Sequence, residues 1–274
     1  MKRLSDVKRI GFGAMRLTGP GIMGPPANPD QARQVLQRAV ELGVDHIDTS
    51  DYYGPYVVND LIRESLHPYP PELVLVTKVG ARRDETGAWL PAFEPDDIKE
   101  AVHDNLGRLG VERLGGVNLR FMDGGDSDFE AQWTVLADLH SQGLVCDLGL
   151  SNCTAEQVKM AQDIAPVSMV QNAYNVAHRD DDDLVDWLAE QGIYYVPFFP
   201  LGGFSPLAIE AVHGVAAKHD ATHMQVALAW LLQRSENILL IPGTSSVEHL
   251  EENVRAGRLV LDEEDLATLD AIGR

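Results

Sequence analysis

Three short stretches carry residue types that can act together. His46-Ile47-Asp48-Thr49-Ser50-Asp51-Tyr52-Tyr53-Gly54 leaves an apolar run through two acids and two tyrosines. Val74-Leu75-Val76-Thr77 runs into Lys78, and Gly149-Leu150 runs into Ser151-Asn152. A phenol, an ammonium and a carboxylate suit the reduction of a carbonyl, which needs a hydride donor on one side and a proton donor at oxygen. A free tyrosine, with a pKa near 10, is a sluggish acid at neutral pH. A lysine ammonium within hydrogen-bond reach stabilises the phenolate and lowers that value, and an aspartate behind it keeps the lysine charged and oriented. A shift of roughly two units, about 1.4 kcal/mol each, brings such an acid closer to its working pH. Tyr53, Lys78 and Asp48 are expected to fill these roles. Two other readings use fewer of the residues. Asp48 and Lys78 can be a structural ion pair, or Lys78 a Schiff-base lysine, a chemistry that leaves the tyrosine and the Ser-Asn pair without a part.

Each group sits where an apolar, strand-like run ends. Such runs read at 10–15, 46–48, 73–78, 117–119, 147–150, 168–171, 194–198 and 238–241, alternating with amphipathic stretches. Those stretches span 29–42, closed by Gly43, then 59–66, 95–109, 129–142, 154–164, 183–191, 206–219, 222–233, 246–256 and 262–272. Strand-then-helix alternation implies parallel strands joined by right-handed crossovers, an α/β fold. About eight units in 274 residues suit a single (β/α)8 barrel spanning 1–274, with its active site at the C-terminal ends of the strands. A doubly wound open sheet has the same periodicity. It would not gather the polar strand ends Asp48, Lys78, Arg120, Ser151-Asn152 and Gln171.

The net charge of −20 and the lack of a basic cluster argue against a nucleic-acid or anionic-membrane partner. The acidic surface reads most simply as solubilising, and an anionic cofactor would need local cations or backbone N–H groups. No apolar run approaches the roughly 20 residues of a membrane span, and no signal peptide is read, so a cytoplasmic location is expected. Cys146 and Cys153 make no disulfide framework. Gly11-Phe12-Gly13 begins a dinucleotide fingerprint whose third glycine position holds Arg16, and Gly149-Leu150-Ser151-Asn152-Cys153 ends a would-be nucleophile elbow on cysteine. The histidines show no metal-ligand spacing, and no metal is expected. Nothing in the sequence sets an oligomeric state.

Residues 43–50 closed by Tyr53-Gly54, Lys78 after Val76-Thr77, Ser151-Asn152, Gln171, the segment 197–202 and the loop 241–246 ending in Glu252-Asn253 together resemble the aldo-keto reductase family, in order along nearly the whole chain. The resemblance implies NADP(H) bound extended across the barrel top, with NAD(H) not excluded. It implies Tyr53 as proton donor tuned by Lys78 and Asp48, Ser151, Asn152 and Gln171 on the carboxamide, and Phe198 stacked on the nicotinamide. Leu201, Gly203, Gly243, Thr244, Ser245, His249, Glu252 and Asn253 complete the implied cofactor set.

Two positions depart from the family pattern. Arg120 stands where most members carry histidine. An arginine can still hydrogen-bond a carbonyl oxygen, stabilise charge developing there and lower the tyrosine pKa further, or it can merely pair with an acid such as Asp48. Gly243 and His249 stand at the usual lysine and arginine positions of the phosphate loop. Strings at 17–21, 80–83, 89–93, 175–179 and 197–204 resemble a bacterial branch of the family acting on pyridoxal. Tyr52, Trp89, Phe93 and Phe121 would wall such a planar aromatic substrate, a small carbonyl compound. Arg179 would contact substrate or cofactor, or only fold its loop. A redox-sensing regulatory subunit with little turnover is the competing function.

Overall fold

A computed structural model describes residues 2–122, 128–200, 202 and 210–272. Seven strands form one parallel sheet in the order β1 (Phe12–Gly13), β2 (His46–Asp48), β3 (Val74–Val79), β6 (Leu114–Arg120), β7 (Val145–Ser151), β8 (Met169–Gln171) and β9 (Tyr194–Tyr195). A separate antiparallel hairpin pairs β4 (Ala81–Arg83) with β5 (Trp89–Pro91). The helices are α1 (Pro29–Glu41), α2 (Val57–Leu66), α3 (Pro95–Leu109), α4 (Phe129–Ser141), α5 (Ala155–Gln162), α6 (Asp182–Glu190), α7 (Glu210–Lys218), α8 (His223–Arg234), α9 (Val247–Arg255) and α10 (Glu263–Asp270).

The expected alternation of strand and helix is present, with two differences. The last apolar run, 238–241, makes single parallel bridges rather than a ladder: Ile238 with Tyr195 on one side, Leu240 with Ile10 on the other. The second difference is the β4–β5 hairpin, which the alternation does not include. Its signal is Asp84, whose carboxylate accepts from the backbone N–H of Thr86 and of Ala88, an Asx turn.

Local sequence sets the helix ends. Asn28 caps α1 with Pro29 in its first turn, and Gly43 follows at φ +83°. Thr154 with Gln157 and Thr222 with Gln225 form capping boxes for α5 and α8. The strands are apolar on both faces because both are covered. Leu75 and Val79 of β3 pack in the large cluster with the helices, while Val74 and Val76 join a smaller cluster with Leu4, Met169, Val196, Leu239 and Ile241. That inner cluster joins β3 to β8 and to the segments after β9, which are not adjacent in the strand order, so the sheet is curled around it. Among the described residues no helix is long and apolar enough to cross a membrane.

A buried polar chain ties the outer helices to the strand ends. Thr49 donates to Asn59 Oδ1 at 2.8 Å, Asn59 Nδ2 to Asn105 Oδ1 at 2.8 Å, and Thr77 to the same Asn105 oxygen at 2.6 Å. All four residues are fully buried. Thr49 immediately follows Asp48 and Thr77 immediately precedes Lys78, so Asn59 of α2 and Asn105 of α3 help to fix both. Asn105→Ala strands two buried donors, and a loss of about 2–5 kcal/mol in urea unfolding is expected. A loss under about 1 kcal/mol would show that the chain is not needed.

Candidate active site

Asp48 ends β2, Lys78 stands one residue before the end of β3, and Arg120, Ser151 and Gln171 end β6, β7 and β8. The last three are register neighbours, Arg120 beside Ser151 and Ser151 beside Gln171. Asp48, Lys78, Arg120 and Gln171 line a cleft of about 250 Å³ together with Tyr52, Tyr53, Trp89, Phe198 and Gly243.

At its floor the Lys78 ammonium donates to Asp48 Oδ1 and, at 3.2 Å, to the Thr49 carbonyl. The other Asp48 oxygen accepts from Gln171 Nε2 at 2.9 Å. One carboxylate therefore holds both the lysine and the glutamine. The pair is almost fully buried, so each charge depends on the other: an unpaired ion there would cost several kcal/mol. Both oxygens of Asp48 are engaged this way, and Arg120 makes no ion pair with it.

Lys78 Nζ lies 5.4 Å from the centroid of the Tyr53 ring. The expectation that Tyr53 would titrate below its ordinary value is corrected here. Burial pushes the phenol up, the Asp48 charge pushes it further, and Arg120 alone pulls it down. The expectation counted the lysine and left out both the loss of water and the aspartate. Arg120 acts in the expected direction. Tyr52 is likewise pushed up by burial and opposed by Arg120.

Four buried polar groups around the cleft have no hydrogen-bond partner among the described residues: Ser151 Oγ, Gln171 Oε1, the Tyr52 hydroxyl and Arg120 Nε. Each such group costs about 1–3 kcal/mol unless a ligand satisfies it. Gln171 has spent its amide N–H on Asp48, so it presents an acceptor. With the Ser151 hydroxyl beside it, the pair fits a carboxamide. Asn152 adopts the left-handed region at φ +57°, which asparagine tolerates. Its Nδ2 donates to the Phe121 carbonyl at 3.1 Å, so its amide is partly committed to the turn.

The walls are aromatic. The hairpin sets Trp89 against Tyr52, ring centroids 5.3 Å apart and near perpendicular, with the Arg83 guanidinium 4.2 Å from the Trp89 ring. Phe198 faces Arg120, whose guanidinium carbon is 5.6 Å from its ring. Phe121 and Phe93 are not among the described lining residues of the cleft. Phe121 packs on Phe129 at 5.6 Å, and Phe93 is buried near Gly80, where an added Cβ would lie 3.2 Å from its ring. The Phe121 backbone N–H donates to the Ser151 carbonyl at 2.8 Å, and its ring lies against Phe129 of α4 in the helix layer.

Of the implied cofactor set, Gly243 is in the cleft wall, Thr244 and Asn253 are buried, and Ser245 and His249 are exposed. Ser246 Oγ accepts from the His249 backbone N–H at the start of α9. The Glu252 carbonyl accepts from Gln225. Leu201 and Gly203 lie outside the described residues. Arg179 is a buried structural link: it pairs with Asp182 and Asp270 and lies 5.1 Å from the Trp230 ring. Sequence reasoning missed Arg16, Ile22 and Phe199 in the cleft wall. Only the Pro197-Phe198-Phe199-Pro200 string hinted at the last.

The aldo/keto reductase family model matches residues 9–274. The chain belongs to the aldo/keto reductase family. Within this oxidoreductase family it is 58% identical over 274 residues to pyridoxine 4-dehydrogenase of Escherichia coli strain K12, covering 98% of this chain and 96% of that protein. A thermostable aldo-keto reductase, Tm1743, solved with the inhibitor epalrestat, superposes with a TM-score of 0.85 at 27% identity, covering 97% of this chain and 96% of that one. An aldo/keto reductase from Klebsiella pneumoniae, solved with NADP and acetate, shares the fold at a TM-score of 0.81 and 23% identity, covering 97% and 91%.

Asp51, which precedes the two tyrosines in sequence, is buried and pushed up to about 7, by burial first and the Asp104 charge second. A carboxyl raised on folding stabilises fully below its unfolded pKa, near 4, and that contribution is lost as pH rises through about 7. Asp51→Asn should therefore gain stability relative to wild type as pH rises from about 4 to about 7, levelling off above that at up to about 4 kcal/mol. Urea unfolding across that range checks it; parallel profiles for the two proteins would contradict it.

Proposed function

We propose that this protein is an NADP(H)-dependent reductase that interconverts an aldehyde and its alcohol, with pyridoxal and pyridoxine as the substrate pair. In this reading the curled sheet closes as a (β/α)8 barrel, supported by the two parallel bridges that 238–240 makes with Tyr195 and Ile10. Residues 1–274 then act as one domain with the site at the strands' C-terminal ends.

The single observation that carries the reading is the Asp48 carboxylate shared between Lys78 and Gln171. It supports the reading because it would hold a group for proton delivery and a group for amide recognition at a fixed separation. Ser151 Oγ and Gln171 Oε1, buried and lacking partners among the described residues, would hold a nicotinamide carboxamide with Asn152, and Phe198 would back the ring. A reduced nicotinamide supplies the hydride. Thr244, Ser245, His249, Glu252 and Asn253 would receive the adenosine-phosphate end.

Tyr53, pushed up by burial, keeps its proton at neutral pH and donates a hydrogen bond to the carbonyl oxygen. As negative charge grows there, the proton moves from the Tyr53 hydroxyl to that oxygen. The Arg120 guanidinium stabilises the phenolate left behind, while the Lys78 ammonium, held by Asp48, lies beside the ring. Arg120 thus serves at the position where the family carries histidine, as a fixed charge rather than a titrating group. Its unpartnered Nε and the orphaned Tyr52 hydroxyl suit a substrate with two neighbouring oxygens, the carbonyl and ring hydroxyl of pyridoxal, with Trp89 as a wall. The 58% identity to pyridoxine 4-dehydrogenase supports the same substrate.

With NADPH and pyridoxal, loss of the reduced-nicotinamide absorbance should be rapid. Tyr53→Phe should slow it by about 10²–10⁴-fold while leaving NADPH binding in place. No turnover despite tight NADPH binding would remove pyridoxal and lead to a panel of other aldehydes. Failure on that panel would remove the reductase reading.

A further inference from the structure

A second cavity of about 410 Å³ adjoins the cleft and shares Met15, Arg16 and Ile22 with it. Asn28, Gln31 and Ser245 line its far side, and Gln31 Nε2 donates to the Ser245 carbonyl at 2.8 Å. Arg16 is the only charged residue among its described lining residues. In a protein of net charge −20, a polyanion entering this groove needs a local cation.

The phosphate loop cannot supply that cation at position 243. An added Cβ on Gly243 would lie 2.6 Å from the Gly13 carbonyl oxygen, a backbone atom with no room to yield. Gly13 is closed in the same way: its own Cβ would lie 2.4 Å from the Ile241 carbonyl. The two glycines let the β1 end and the 241–243 segment touch backbone to backbone. The next atom a Gly243 Cβ would meet is Arg16 Cγ, at 3.5 Å. The arginine stem therefore lies across the space into which a side chain at 243 would point.

We infer that Arg16 is a cofactor-phosphate ligand, supplying from the segment after β1 the positive charge that the packing of Gly243 excludes from the loop. The inference rests on the cofactor reading above. A guanidinium is suited to the task because its forked N–H donors match phosphate oxygens and its charge does not titrate away. Arg16 lines both cavities, so it would lie beside the phosphates of a dinucleotide that ran from the Ser151–Gln171 end toward Ser245.

Isothermal titration of NADPH, NADH and 2′,5′-ADP into wild type, Arg16→Ala and Arg16→Lys, at two salt concentrations, tests this. Arg16→Ala should weaken NADPH at least about tenfold, flatten the salt dependence of binding, and be partly rescued by Arg16→Lys. Loss confined to NADPH and 2′,5′-ADP assigns the 2′-phosphate, whereas equal loss for NADH assigns the pyrophosphate; either supports the inference. Arg16→Ala binding NADPH within twofold of wild type would overturn it. So would weakened binding that keeps the wild-type salt dependence, since a merely loosened groove behaves that way. Wild type binding neither dinucleotide would instead remove the cofactor reading itself.

Discussion

A lysine with its charge almost fully out of water is the constraint around which the rest is arranged. An ammonium buried at the end of β3 costs several kcal/mol without a carboxylate beside it, and so does a carboxylate at the end of β2 without the ammonium. Their contact fixes how β2 and β3 end relative to each other. Asp48 then spends its second oxygen on Gln171, which lies far across the strand order on β8. A bond between such distant strands requires the sheet to curl. The buried polar chain from Thr49 and Thr77 to Asn59 and Asn105 braces the same two strand ends from outside.

This arrangement divides one carboxylate between two neighbours. Lys78 lies beside the Tyr53 ring. Gln171, with its amide nitrogen on Asp48, keeps an oxygen that is buried and lacks a partner among the described residues. Arg120, not paired to Asp48, retains a charge directed at Phe198 and the tyrosines. Positive charge is thus concentrated in the cleft of a protein that is acidic overall, where it can act on an anionic cofactor and on a carbonyl acquiring charge.

Much of this was legible because the fold uses each apolar run once and leaves a polar residue at its end. Asp48, Lys78, Arg120, Ser151 and Gln171 could be picked out by that rule, and the caps at Asn28, Thr154 and Thr222 mark where helices start. What escaped the sequence depends on distance rather than type. The sign of the Tyr53 shift follows from burial and from an aspartate that serves the lysine yet opposes the phenolate. Phe121 and Phe93 are aromatic like Trp89, but only the hairpin carries its ring over the cleft. Arg16 sits in a failed dinucleotide motif, and its place beside Gly243 depends on two glycines 230 positions apart meeting backbone to backbone. The final apolar run reads as a strand, yet its bridges are too few for a ladder.

The central claim is that one carboxylate organises both proton delivery and amide recognition, and Asp48→Asn tests it most directly. From one preparation, NADPH affinity and the single-turnover rate of hydride transfer to pyridoxal would be measured together. Both should fall, because the asparagine loses the charge that holds Lys78 and one of the two acceptor oxygens that Lys78 and Gln171 divide between them. A variant that binds NADPH as wild type does and transfers hydride at the wild-type rate would contradict it.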